Sequence, residues 1–421
     1  MLTRRSALAA LSALPAVAWA GSSPQPPPAP AGPPAPKREG RDEEGGWKEI
    51  QEAFTLDRTM INLNNGGCSP TPRVVHEAYK RYLDISNQAP PYFMWQVLEP
   101  GIEAIRRDLA RFAGCDPEEL AITRNASEAL QTAQLGIELA PGDEVVTTDQ
   151  DYPRMLDTWE QRAKRSGITI KKVKVGVPAT ADQLISAVTT AFSPRTKVVH
   201  ISHLTFLTGQ TFPVAEICAA ARQKGIVSIV DGAHAFAHLP FRLADLGCDY
   251  YGTSLHKWLL APVGTGFLFM RRDRVAKTAA LQPTNPSKDN DIRKFEEIGT
   301  HPAAAHNAIA EALAFHLAIG SERKIQRLRQ LRSRWWNRLQ EDTRIRLLTP
   351  AGPDEGGAIA TFSIEGKKAS EITTWLWDKR RIFVTPIVTE TYEGVRVTPN
   401  VYTTSWELDV FCDAVKDFLK G

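Results

Sequence analysis

Between residues 142 and 272 the chain alternates apolar runs with amphipathic stretches. "DEVVTTD" (143–149), "ITIKKVKV" (168–175), "TKVVHISHLTF" (196–206), "IVSIVDGA" (226–233), "CDYYGTS" (248–254) and "GTGFLFMRR" (264–272) predict strands. "MLDTWEQRAKRSG" (155–167), "TADQLISAVTTAF" (180–192) and "VAEICAAARQKG" (214–225) carry apolar residues at helical spacing; Gly167 closes the first and Thr180 caps the second. Val- and Ile-rich strands alternating with helices of this length predict an α/β domain with a mostly parallel sheet. Upstream, 70–87 and 99–113 pattern as helices. Downstream, "AAAHNAIAEALAFHLA" (303–318) predicts one long helix, and "SERKIQRLRQLRSRWWNRLQ" (321–340) a basic amphipathic helix that links domains. "GGAIATFSIEG" and "GVRVTP", with helical stretches between and after them, predict a smaller α+β domain. The expected boundaries are 47–75 for a segment joining the small domain, 76–318 for the large domain and 319–421 for the small one.

The first residues break this pattern. "MLTRRSALAALSALPAVAWA" pairs Arg4 and Arg5 with an apolar run too short to span a bilayer, then ends small-x-small. It predicts a twin-arginine signal peptide over 1–20, hence a periplasmic or secreted protein with no stable membrane insertion after cleavage. Residues 21–46 are rich in Pro and Gly and lack a core-forming pattern, which predicts an extended linker. The net charge is +3 from 51 basic and 48 acidic residues, so no nucleic-acid partner is expected. The five cysteines form no C-x-x-C pair, and no metal-ligand spacing occurs.

Four places can carry chemistry. Asp231 follows an apolar strand directly, where open α/β sheets keep their ligand crevice. A carboxylate there pairs with a cationic ring nitrogen, or else caps a turn. Lys257, in "GTSLHKW", stands among apolar residues. Burial favours the neutral amine that attacks a carbonyl, and the alternative is a structural ion pair. Ser254 and His256 beside it can hold a phosphate. "TRNASEAL" places Asn125, Ala126 and Ser127 at a helix start, whose free amides bind anions or are simply capped. Tyr152 follows a strand and can lie against a planar ring. An aspartate, a lysine, an aromatic ring and an anion-binding helix start together suit pyridoxal phosphate.

The stretches "NLNNGGCSPTP", "TRNASEAL", "SHLTFLTGQTFPV", "VDGAHA", "TSLHKW", "EEIGTHP" and "GVRVTPNVYTT" resemble, in this order, the class V aminotransferase-like group of fold-type I pyridoxal-phosphate enzymes. The nearest likeness is to isopenicillin N epimerase-like proteins. The resemblance spans about 60–415. It implies that Lys257 binds the cofactor covalently and that Asp231 faces its pyridine nitrogen. Ala126, Ser127, Ser254 and His256 then hold the phosphate, while Thr300 reaches the phosphate of a neighbouring subunit in a homodimer with shared sites. By the same likeness His203, Thr205 and His234 belong to the cofactor site, Tyr152 stacks on the ring, and Arg396 holds the substrate's α-carboxylate.

Two departures separate this chain from cysteine desulfurases. Phe206 replaces the asparagine near the cofactor's ring hydroxyl, and "KRRIFVTPIVTETYEGVRVTP" lacks the sulfur-accepting cysteine. The expected function is chemistry at the α-carbon of an amino acid or peptide-like derivative. Lys257 is the base, and Tyr152 or His203 the second acid of an epimerase-like reaction. C–S lyase and aminotransferase chemistry are the alternatives, and an exported ligand-binding protein is the non-enzyme reading.

Overall fold

A computed structural model describes residues 44–301, 303–352 and 355–421, all within one compact unit, Gly40–Gly421. The expected signal peptide, and the linker as far as residue 43, lie outside the described residues. The last linker residues are not a tether. Glu44 pairs with the fully buried Arg327 and accepts hydrogen bonds from Gln51 and from the backbone N–H of Ser405. A buried guanidinium needs a counter-charge, and that need draws Glu44 onto the core.

The main sheet has seven strands: β2 (Leu120–Thr123), β3 (Glu144–Thr148), β4 (Thr169–Val173), β5 (Thr196–Ser202), β6 (Val227–Asp231), β7 (Tyr250–Ser254) and β8 (Gly266–Met270). Their order is β2-β8-β7-β6-β5-β3-β4. β8 is antiparallel to both of its neighbours, and the other pairings are parallel. Each of β2, β3, β7 and β8 is buried along its whole length, as expected of strands covered on both faces. Register aligns Ser202 with Asp231, and Asp231 with Gly252, so β5 and β6 end together and β7 runs on to Ser254. The helices that cover the sheet start and stop where local chemistry directs. Thr180 and Gln183 form a capping box, and Gly167 ends its helix with φ +68°.

A second sheet orders β12 (Thr385–Val388), β13 (Glu393–Val397), β10 (Ala360–Ile364) and β9 (Ile345–Leu347), all antiparallel. Its face packs Phe362, Trp335 and Phe411 into a separate apolar cluster. Two short strands, β1 (Ile61–Asn62) and β11 (Ile382–Phe383), pair in parallel and carry the N-terminal segment to this part of the molecule. The expected single helix over 303–318 is instead two, Ala303–Asn307 and Ile309–Ile319. The Asn307 side chain donates to the carbonyls of Ala303 and Leu98. A side-chain donor there competes with the helical ladder.

Candidate active site

The ends of β5, β6 and β7 open into a cavity of about 180 Å³. Its wall gathers Ala126, Ser127, Tyr152, Asp231, His234, Ser254, His256 and Lys257, together with Gly67, Ser202 and Phe206. Asp231 is the last residue of β6 and is buried. It accepts a hydrogen bond of 2.9 Å from the N–H of Ala233. Burial raises its pKa, while the Ala233 N–H and the Lys257 charge oppose the rise.

Lys257 sits in the turn after β7, half-buried, ahead of the buried Trp258, Leu259 and Leu260. Leu260 has φ +67°, an uncommon conformation for a branched residue. The Lys257 amine lies 3.2 Å from His234 Nε2. Burial lowers its pKa to about 8; Asp231 raises it and Arg396 lowers it further. A substantial share of the amine is therefore neutral at physiological pH, as nucleophilic attack requires.

The helix Ala126–Gly136 points its start into the cavity. Asn125 caps it by accepting from Glu128 N–H, and Ser254 Oγ accepts from Ala126 N–H at 2.9 Å. This approach depends on glycines. A Cβ on Gly266 would meet Thr253 O at 2.6 Å and Asn125 Cα at 2.7 Å. His256 Nδ1 is 3.1 Å from Thr265 O, which fixes its ring at the cavity wall.

Tyr152 is 40% exposed and stands edge-on to Phe206, with ring centroids 5.3 Å apart. Arg396, on β13, is buried. It donates to Phe206 O at 2.9 Å and to Asn64 Oδ1 at 3.0 Å, and its Nε has no partner. Asn64 escaped sequence analysis. Its signal was the "NLNNGG" stretch, where three asparagines crowd a glycine turn.

Four expected residues do not line the cavity: Arg396, held on the carbonyl of the lining residue Phe206, and three others. His203 is buried behind it, 3.3 Å from Tyr251 OH and edge-on to Phe241. Thr205 is fully buried and paired with Thr208. Both positions lie past the end of β5 and alternate with Leu204 and Phe206, which do line the cavity, so the side chains of His203 and Thr205 are turned away from it. Thr300 is exposed and outside the cavity.

The aminotransferase class-V family model matches residues 61–386. The chain is 31% identical over 394 residues to the isopenicillin N epimerase of Amycolatopsis lactamdurans, covering 89% of this chain and 99% of that one. It is 25% identical over 290 residues to the hercynylcysteine sulfoxide lyase of Schizosaccharomyces pombe, covering 66% and 74%. Among solved structures, a mutant of C-DES with glycine covalently linked to its PLP cofactor superposes with a TM-score of 0.77 at 25% identity, covering 86% and 100%.

The cavity fits pyridoxal phosphate on its own chemistry. Asp231 is a buried carboxylate that accepts one N–H and makes no direct ion pair among the described residues, with the Lys257 charge acting on it only from a distance; a protonated ring nitrogen would give it a direct partner. His234 Nδ1 is buried without a partner. The helix start, Ser254 and His256 form a cradle for a phosphate.

Proposed function

The chain belongs to the class-V aminotransferase family and is a pyridoxal-phosphate-dependent enzyme, and on that premise we propose that it inverts configuration at the α-carbon of an amino acid or peptide-like derivative. The observation that carries this reading is end-to-end likeness to an isopenicillin N epimerase, in a chain whose 380–399 segment has no cysteine. Cys412 does not replace that thiol, because it is buried against Trp335 O.

When bound, the cofactor supplies an aldehyde that takes the substrate amine and an electron-withdrawing ring that holds the charge left at the α-carbon. Asp231 keeps the ring nitrogen protonated. Lys257 would hold the cofactor and, as the amine nearest the α-carbon, would take up the α-proton; its pKa of about 8 in the cofactor-free protein suits a base. Tyr152 returns a proton to the opposite face. Arg396 grips the α-carboxylate and keeps the α-carbon in one place while its substituents invert.

Incubation with L-amino acids, small peptides and thioether or sulfoxide derivatives in deuterated water tests the reading. Deuterium at an inverted α-carbon supports it. Pyruvate with a released thiol or sulfenate assigns a lyase instead, and an oxo-acid that depends on an added acceptor assigns a transaminase. The sulfoxide lyase relative makes the lyase the second reading.

Two further parts of the proposal rest on sequence. The chain acts as a homodimer in which Thr300, exposed here, meets the cofactor phosphate of the other subunit. Sedimentation of the holoenzyme checks the dimer, and a monomer that is fully active overturns it. The paired Arg4 and Arg5 direct export through the twin-arginine route to the periplasm or beyond. Replacing both with lysine blocks export of the folded protein if this is correct.

A further inference from the structure

His238 lies outside the cavity lining, yet it touches three pieces of chain that position the chemistry. Its ring is 2% exposed and stacks on Trp258, the residue after Lys257, with centroids 3.6 Å apart and planes 20° apart. Its Nδ1 is 2.7 Å from the carbonyl of His234, and its Nε2 is 2.8 Å from the N–H of Ala358. A carbonyl only accepts and an amide N–H only donates. The tautomer is therefore fixed, with hydrogen on Nδ1 and the lone pair on Nε2. Burial, with the charges of Lys324, Arg332 and Arg329, holds its pKa down to about 3, so the ring stays neutral.

The third contact reaches the second sheet. Ala358 stands two residues before β10, and Thr361 of β10 is the register partner of Arg396. Thr361 also donates to Leu207 O, beside Phe206, whose carbonyl holds Arg396. The approach of the 356–358 loop to the imidazole is close: a Cβ on Gly357 would sit 1.9 Å from His238 Nε2. One neutral ring thus spans the amine end of the site, through His234 and Trp258, and the carboxylate end, through Ala358 and β10.

We propose that His238 is a positioning residue that sets the separation between the Lys257 amine and the Arg396 guanidinium. The two hydrogen bonds divide the work: the bond to His234 orients the imidazole that meets Lys257, and the bond from Ala358 places β10 and, through it, Arg396. The proposal rests on the cofactor link at Lys257 and holds for any of the reactions at the α-carbon.

Two isosteric variants separate the bonds. His238→Asn keeps a donor near His234 O but does not reach Ala358. His238→Gln places an acceptor near Ala358 N–H and gives up His234 O. Two readouts on the substrate-free holoenzyme follow: the pH titration midpoint of the visible cofactor band, and the Kd for acetate, a carboxylate without an amine, read from its effect on that band. His238→Gln moves the midpoint by about half a pH unit or more and leaves the acetate Kd within about twofold. His238→Asn weakens acetate about five- to tenfold and leaves the midpoint in place. Gly357→Ala keeps the histidine and pushes on it from the β10 side, so it reproduces the acetate defect even if the first two variants fold poorly. Folded variants that shift neither readout, or that shift both alike, overturn the division of work and the positioning role with it. A wild-type holoenzyme with no visible band overturns the reading of Lys257 itself, which is a separate failure.

Discussion

The Lys257 amine lies 3.2 Å from His234 Nε2, while the other nitrogen of that imidazole is buried without a partner. His234 is held neutral by burial and by the positive charges of Lys257 and Arg396, its pKa pushed well below the usual range. It therefore adds no second charge to a site already crowded with cations. The amine pKa of about 8 is the balance of burial, which lowers it, against Asp231, which raises it.

That balance predicts how the apoenzyme captures pyridoxal phosphate. Only the neutral amine attacks the aldehyde, so the capture rate rises about tenfold per pH unit below pH 8 and levels above it. Asp231→Ala removes the carboxylate that favours the ammonium, and the midpoint moves to lower pH. Stopped-flow absorbance between pH 6 and 9 measures both. A flat profile excludes deprotonation of Lys257 as the controlling step.

Asp231 gives a second prediction, with opposite signs in the apo and loaded protein. Its folded pKa is raised above the unfolded value, so the folded state binds the extra proton. Its contribution is most favourable below the unfolded pKa and is lost as pH rises through the folded one. At pH 7, Asp231→Asn therefore raises the thermal midpoint of the apoenzyme. On the proposed role of Asp231, the same change also removes the partner of the ring nitrogen, so added cofactor raises the midpoint less than in wild type. Exchange of the α-proton falls by about 100-fold or more. Calorimetry with and without cofactor decides: an apoenzyme destabilised by the change contradicts the argument.

Much of this site is legible before folding because local rules and site chemistry agree. Asp231 ends an apolar strand, and the end of a parallel strand is where the crevice forms. Lys257 stands in a run too apolar for a surface lysine. Asn125 carries the capping chemistry of a helix start. The failures have physical causes too. His203 and Thr205 sit in a recognisable segment, but the turn after β5 packs them against Tyr251 and Thr208 instead of the cavity. Strand β2 went unread because "LAIT" is short and lacks alternation; its partner β8 supplies the pairing. Asn64 and His238 act through contacts to residues 332 and 120 positions away, which no local pattern encodes.

Buried neutral histidines predict acid sensitivity. Burial lowers the pKa of His200 and His238 to about 3, and of His203 and His306 to about 4. In the unfolded chain each takes a proton near pH 6.5. Between these values the unfolded state binds more protons, so stability falls as pH falls, by up to about 1.4 kcal/mol per histidine per pH unit. The denaturant midpoint of the apoenzyme should drop steeply between pH 6.5 and 5. Replacing His200 with Asn, which leaves an acceptor for Trp159 Nε1, should flatten the slope because one proton-binding group of the unfolded chain is removed. A midpoint that is constant across this range is the contrary result.

Arg396 and Asn64 give the last prediction, because the guanidinium is already half committed. Its two terminal nitrogens hold Phe206 O and Asn64 Oδ1, which leaves Nε without a protein partner. Burial lowers its pKa to about 10, so it remains charged at neutral pH and is poorly solvated. A carboxylate arriving there replaces lost hydration and gains a planar pair that lysine does not reproduce. Arg396→Lys should raise KM for α-carboxylate substrates by about 100-fold, with a smaller effect on kcat. Asn64→Ala frees one guanidinium nitrogen and lets the plane rotate, so it raises KM about five- to tenfold while the cofactor band stays unchanged. Steady-state kinetics with a substrate and with its amide, which lacks the carboxylate charge, separates the two roles. The amide should discriminate little between wild type and either variant. Equal losses on both compounds would mean that Arg396 supports the fold of β13 rather than gripping the substrate.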